Sequence, residues 1–387
     1  MGTRLDPQFV TELKKYGTVN VEKCFNCGNC TATCPLSTST EIFPRRLIHY
    51  AQLGLKDKLL SSRELWMCYY CGECTQTCPQ QADPGEFMAS ARRYAIASYD
   101  PLGLAKVLYT SPILSTVFLV LLAVLIGLGV YSFHGPMASD TLKFFDFIPS
   151  SAIHVFGVIG MILVALLILL GMINMIRRVK GGGKTGVRYN WLQALWDTVV
   201  VEALAQRRFR SDCETASVKE AWYLQKWFVH ASILWGFLGL LLATALDYGL
   251  DLLGIKATGT WVQFWHPVRL LGTFAGLFLV YGTTMALIRR IRKTDETTRY
   301  STVSDWAFLI LLWLTGVSGF LLEIAVYLPS PAPWAYWTLL GHISVAAELL
   351  ILLPFTKFAH AIYRTIALYF HALKPITTSA PVKAGTD

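Results

Sequence analysis

Residues 24–35 read CFNCGNCTATCP and residues 68–79 read CYYCGECTQTCP, two copies of Cys-x2-Cys-x2-Cys-x3-Cys-Pro that decide how the N-terminal part of the chain folds. The short spacings let three thiolates of each run wrap three corners of an iron–sulfur cubane, while the fourth points away to a second one. One [4Fe–4S] cluster is therefore expected on Cys24, Cys27, Cys30 and Cys78, and the other on Cys68, Cys71, Cys74 and Cys34. Zinc sites draw four ligands as two pairs, a spacing that neither run shows. Of the 9 cysteines, Cys213 stands alone and reads as structural or incidental. Residues 1–20 are polar and mixed in charge, with no secretory signal, so the thiols are expected reduced, on the cytoplasmic side.

The composition changes sharply near Ser111-Pro112. The whole 387-residue chain is 54% hydrophobic and only 15% charged, against about a quarter charged in soluble domains, which puts a large part of it in lipid. Apolar runs near the ~20 residues that a bilayer needs fall at about 113–131, 153–176, 228–248, 268–288, 306–327 and 337–358. The expected organisation is all-α. An iron–sulfur domain spans 1–105, a six-helix transmembrane bundle 106–375, and a disordered tail 376–387.

The net charge of +9 gathers beside the spans, in clumps such as Arg289-Arg290-Ile291-Arg292-Lys293, which argues for cytoplasmic loops and against nucleic acid. Segments 132–150, 249–265 and 328–336 hold only Lys143 and Lys256 and are expected outside. Both termini and the cysteine runs then share the cytoplasmic side of a multi-pass inner membrane protein. Segment 177–227 is long for a loop. Its Trp191, Leu192, Leu195, Trp196, Val199 and Val200 recur at helical spacing. That pattern fits a helix on the inner leaflet or one packed on the protein's own cytoplasmic domain. The run Gly181-Gly182-Gly183-Lys184-Thr185 lacks the first glycine of a phosphate-binding loop, Arg178 standing in its place, and reads as a linker.

Four of the 8 histidines matter most. His342 and His360 are eighteen residues apart on the expected last span, five helical turns and about 27 Å, so both rings leave one face. Imidazole is a natural axial ligand for b-type haem, and ionisable groups inside spans are functional candidates. At the inner edge His230 is the expected partner of His360. At the outer edge His266 is expected to pair with His342, with Arg269 near enough to meet a propionate, and His154 is the alternative to His266. His49, His134 and His371 read as surface or interface residues. Asp247, Glu323 and Glu348 are the carboxylates within spans. Asp247 and Glu323, near the outer edge, are candidate acceptors for protons released by a quinol; the competing expectation is burial or pairing with Arg269.

Residues 44–79, with Pro44-Arg45-Arg46-Leu47-Ile48-His49-Tyr50 and Leu65-Trp66-Met67-Cys68, resemble the C subunit of heterodisulfide reductases. The resemblance implies an α-helical ferredoxin, and the long insert between Cys34 and Cys68 suits helices. Residues 150–365 resemble the gamma subunit of respiratory nitrate reductase and the E subunit of heterodisulfide reductase, through His230, His342, His360 and residues 353–360. These relatives imply a dihaem bundle that oxidises quinol; the nitrate reductase pattern has a second histidine about three turns beyond the first on the same helix, and here Leu240 stands near that place. The fusion of both parts is similar to the family of C subunits of quinone-interacting membrane-bound oxidoreductase complexes. That family implies two haem b groups, menaquinone as substrate, and two partners like the FAD- and iron–sulfur-containing A subunit of heterodisulfide reductase. Adenylylsulfate reductase would lie beyond them. Electrons would pass from menaquinol through the haems to the cubanes and out to flavin. The rival expectations are a haem subunit of a heterodisulfide- or sulfite-reductase-linked complex, and a haem-free membrane anchor.

Overall fold

The computed structural model describes residues 5–38, 42–138, 140–179, 190–212, 221–257, 262–294, 296–328 and 333–373. Residues 181–185, Cys213 and the tail from 376 lie outside the described residues. Every regular element among the described residues is helical.

The two cysteine runs fold alike because their sequences repeat. Each enters a one-turn helix, Asn29–Ala32 or Glu73–Gln76, through a left-handed glycine, Gly28 at φ 89° or Gly72 at φ 97°. Two residues earlier Asn26 (φ 61°) and Tyr70 (φ 60°) are left-handed too. Only glycine adopts such backbone without cost, and asparagine tolerates it better than most. Around these loops pack helix Arg45–Gln52 and the long helix α1 (Pro84–Tyr99). Their core holds Phe9, Leu13, Leu47, Trp66, Phe87 and Tyr99, each fully buried. Each such side chain contributes about 1.5–3 kcal/mol.

Among the described residues six helices are long and apolar enough to cross a membrane: α2 (Pro112–Tyr131), α3 (Ser150–Val179), α4 (Lys226–Leu252), α5 (Pro267–Arg292), α6 (Val303–Val326) and α7 (Pro333–Ile351). The chain is a multi-pass membrane protein. Its outward side chains are apolar, as at Ile113 and Leu125, because lipid takes the place of water there. Sequence neighbours pack in order, α4 on α5, α5 on α6 and α6 on α7, and α7 returns to α2. Helices α4 and α5 approach closely at Gly236, where an added Cβ would lie 2.5 Å from the Leu279 backbone nitrogen. Small residues permit that approach, which drives helix association in lipid.

The last span departs from expectation. It starts at Pro333, stops at Ile351, and passes through tight turns over 352–357 into a separate helix, α8 (Phe358–Ala372). Pro354 has no N–H to give and crowds the carbonyl one turn back, which favours a kink or a stop, and here the helix stops. His342 and His360 therefore sit on different helices, and the common face expected of one straight span does not exist. With the span shifted toward its N-terminus, His342 falls near the middle of α7 instead of the outer edge.

The break is held in place. Thr302 and Asp305 form a reciprocal cap at the start of α6, and Asp305 also takes Lys357 Nζ at 2.8 Å and faces Arg290 at 3.8 Å. Beyond the break α8 docks on the cysteine domain. Met175, Leu352, Phe355 and Tyr363 of the bundle end share one continuous core with Phe9, Trp66 and Phe87. Helix Trp191–Trp196 and the π-helical turns Asp197–Leu204 pack on α8 from another side. Trp191, Leu192 and Trp196 point outward, 57%, 63% and 62% exposed, while Ala194 is buried. A helix that packs inward on small residues and outward with tryptophan suits the lipid interface.

Candidate iron–sulfur and haem sites

None of the eight cysteines of the two runs is in a disulfide, and the fold sorts them across the runs. Cys34 borders one cavity together with Cys68, Cys71 and Cys74, closed by Pro35, Phe43, Tyr69 and Tyr70. On the other side Cys78 stands close enough to Cys24 and Cys30 to act on them electrostatically, as does Cys27. Amides turn toward the sulfurs: Tyr70 N–H donates to Cys68 Sγ at 3.3 Å, and Ala82 N–H to Cys78 Sγ at 3.4 Å. Burial, with the neighbouring thiols Cys24, Cys27 and Cys78, pushes Cys30 up to about 11. Cys24, Cys34 and Cys74 are raised in the same way, by burial first and by neighbouring thiols after it. Such thiols lose their protons only to a bound cation, so filling the sites releases protons.

At the cysteine-domain end of the bundle, His230 and His360 stand close enough to interact electrostatically. The His230 Nδ1–H donates to Gln206 Oε1 at 3.0 Å, which leaves Nε2 as the free ligand nitrogen. His230 and Lys357 are exposed and His360 is half-buried. Burial pushes His360 well below the usual imidazole range, and Arg92, Arg364, Lys357 and His230 add to it. It is neutral, the form that binds iron. Two imidazoles at this end, His230 with a free Nε2, would be able to hold a b-type haem.

The other histidines and charges of the bundle are arranged differently. His342 Nδ1 is held by Ser318 Oγ at 2.8 Å, and Gly319 leaves room beside its ring. His266 caps α5, accepting the Val268 N–H on Nδ1 at 3.3 Å. His154 lies edge-on to Tyr248 at 4.7 Å, with Nε2 3.9 Å from Asp251. Among the described residues neither makes a ring contact or hydrogen bond with His342. Arg269 is occupied by Glu323 at 2.9 Å and by the Val262 carbonyl at 2.7 Å. Asp247 is paired with Lys256 at 2.6 Å. Glu348, 3% exposed within α7, has no hydrogen bond or ion pair among the described residues. His134 stacks on Tyr131 at 4.1 Å, and His49 meets Asn26 at 3.3 Å, both on the surface.

Residues 104–380, well over half of the chain, match the family described as Citrate utilization protein B. The chain belongs to this family. Residues 20–82 of this family member match the 4Fe-4S dicluster domain, which with its eight cysteines carries two [4Fe–4S] clusters. Similar curated proteins match in the same region. The C subunit of the H(2):CoB-CoM heterodisulfide,ferredoxin reductase from Methanothermobacter thermautotrophicus is 40% identical over 63 residues, 16% of this chain and 34% of the relative. A protein of Archaeoglobus profundus described as like the C subunit of heterodisulfide reductase is 35% identical over 98 residues, 25% of this chain and 52% of the relative. The chain thus spans about a third of the first relatives it matches and about half of the other. No solved structure matches.

Three residues escaped sequence reasoning. Gln206, in left-handed backbone at φ 50°, orients His230 from a segment with no motif. Trp66 lies 5.8 Å ring to ring from His360, and Arg364, one turn beyond His360, reaches the carbonyls of Trp66, Met67 and Cys68. A conspicuous arginine beside a candidate haem histidine was the one available signal.

Proposed function

We propose that this chain is the membrane component of a redox complex that exchanges electrons between the menaquinone pool and cytoplasmic flavoprotein subunits. The functional model is the C subunit of quinone-interacting membrane-bound oxidoreductase complexes, with partners like the A subunit of heterodisulfide reductase and adenylylsulfate reductase beyond them. The dicluster domain and both termini lie on the cytoplasmic side in this reading. When bound, haem b and the cubanes supply one-electron relay. The chain's own residues hold and shield that relay. His230, oriented by Gln206, and His360 offer ligand nitrogens to one haem, and His342 with His266 or His154 is the candidate set for a second. Cys24, Cys27, Cys30 and Cys78, and Cys68, Cys71, Cys74 and Cys34, are the proposed cluster ligands.

One observation carries the reading: His360 packs against Trp66, two residues before Cys68, so a candidate haem histidine lies close to the cysteine cavity. The heterodisulfide-linked alternative is favoured by the names of the matching relatives, although their match covers the cysteine region only. The test uses the full chain purified anaerobically in detergent. Its reduced-minus-oxidised visible spectrum is expected to show b-type haem, reducible by a menaquinol analogue. Absence of haem bands would leave a haem-free anchor; bands that respond to dithionite alone would remove the quinone link.

A further inference from the structure

We propose that Arg364, supported by Arg92, is a positioning residue that raises the reduction potential of the cluster bordered by Cys34, Cys68, Cys71 and Cys74 above that of its neighbour. The bundle-facing cluster is then the more easily reduced of the two, whichever way current flows. The inference needs the two clusters and the grouping of cysteines described above, but neither haem nor quinone.

The geometry is asymmetric. Arg364 Nη1 donates to the carbonyls of Trp66 at 2.7 Å, Met67 at 3.1 Å and Cys68 at 3.1 Å, and its guanidinium lies over the Tyr69 ring at 4.4 Å. Arg92 Nη1 reaches the same Cys68 carbonyl at 3.2 Å and is 8% exposed. Two enclosed cations thus converge on the backbone of one cluster-binding cysteine. Nearby carboxylates do not cancel them. Glu202 is held by Arg208 at 2.8 Å, Glu86 by Arg93 at 2.8 Å, and Glu64 by Arg46. Glu73 lines the cavity but is exposed, so water screens it. Neither Arg364 nor Arg92 forms an ion pair among the described residues.

The other cluster site has a weaker counterpart. Arg45 lies against Gly28 in its loop, but this arginine is exposed. A charge acts far more strongly across enclosed protein than through water. Reduction adds an electron to a cluster that is already anionic with its thiolates, so nearby positive charge favours the reduced form. The larger uplift therefore belongs to the Cys68 side.

Potentiometric EPR titration of the full anaerobic chain tests this, with iron content measured on each sample. Cys71→Ser identifies the bundle-facing cluster by the signal it removes. Arg364→Gln is expected to move the midpoint of that cluster to more negative potential and leave the other in place. Arg364→Lys should recover part of the shift, and Arg45→Gln should not touch this cluster. Unchanged midpoints, or equal movement of both, would overturn the proposal. If Arg364→Gln loses the cluster, Arg92→Gln decides: a lowered midpoint supports the assignment and an unchanged one refutes it.

Discussion

The two ends of the bundle handle charge in opposite ways. At the end away from the cysteine domain Lys256 lies between Asp247 and Asp251, and Arg269 grips Glu323. At the cysteine-domain end Lys357 and Arg290 share Asp305, but Arg92 and Arg364 donate to backbone carbonyls beside His360. Protein interiors do not tolerate unpaired charge without a use for it. The first end pairs these cations with carboxylates, whereas the second keeps two arginines for the backbone around a candidate cluster cysteine. That contrast weakens the symmetric picture of two equivalent haem sites.

Removing His360 should break the comparison most visibly. His360→Ala or His230→Ala is expected to abolish one b-type haem entirely, measured as haem per chain in the purified protein. His266, whose Nδ1 already caps α5, is the weaker candidate, and His266→Ala should cost less haem than His360→Ala. Equal losses in both sets would restore the symmetric dihaem picture. A smaller effect is expected one shell out. Gln206→Leu removes the acceptor of the His230 Nδ1–H, and outer-shell losses of this kind lower affinity roughly 10–100-fold. Haem retention during dilution reads that directly, and full retention would deny Gln206 its orienting role.

How far these differences were legible in the sequence depends on how local their causes are. Cluster ligation is written in spacings of two and three residues, and a span in twenty apolar ones, so both could be read directly. The end of α7 could not. Leu352, Leu353 and Phe355 keep the run apolar, and Pro354 alone does not reveal whether a helix kinks or stops. Arg364 meets Cys68 across most of the chain, and the pairing of Arg269 with Glu323 was one of two open expectations. Long-range polar contacts leave no local pattern to read.

The outer pairs predict a moderate stability effect. Glu323→Gln leaves the Arg269 guanidinium, 12% exposed, without its anion. Half-buried pairs of this sort are worth about 1–3 kcal/mol. The expected result is a clear drop in thermal stability of the detergent-solubilised chain, reduced in Arg269→Gln/Glu323→Gln, where neither charge is stranded. A single variant as stable as the parent would mean that water already screens the pair.

The smallest stability effect is expected at Glu348, and it sharpens the comparison because it lies between the two ends. This carboxyl is buried in α7, where Glu323 and Asp247 have cations and it has none among the described residues. Helices α2, α3 and α6 pack against α7, and none of their described residues forms an ion pair with Glu348. Glu348→Gln breaks no ion pair and keeps the side-chain volume, so the change should stay under about 1 kcal/mol. Thermal unfolding measured beside Glu323→Gln separates the cases. A loss as large as that of Glu323→Gln would reveal a partner for Glu348. A silent substitution that nevertheless slowed reduction of the chain by quinol would mark Glu348 as the intramembrane carboxyl that handles protons, the task that the ion-paired Asp247 and Glu323 are poorly placed to perform.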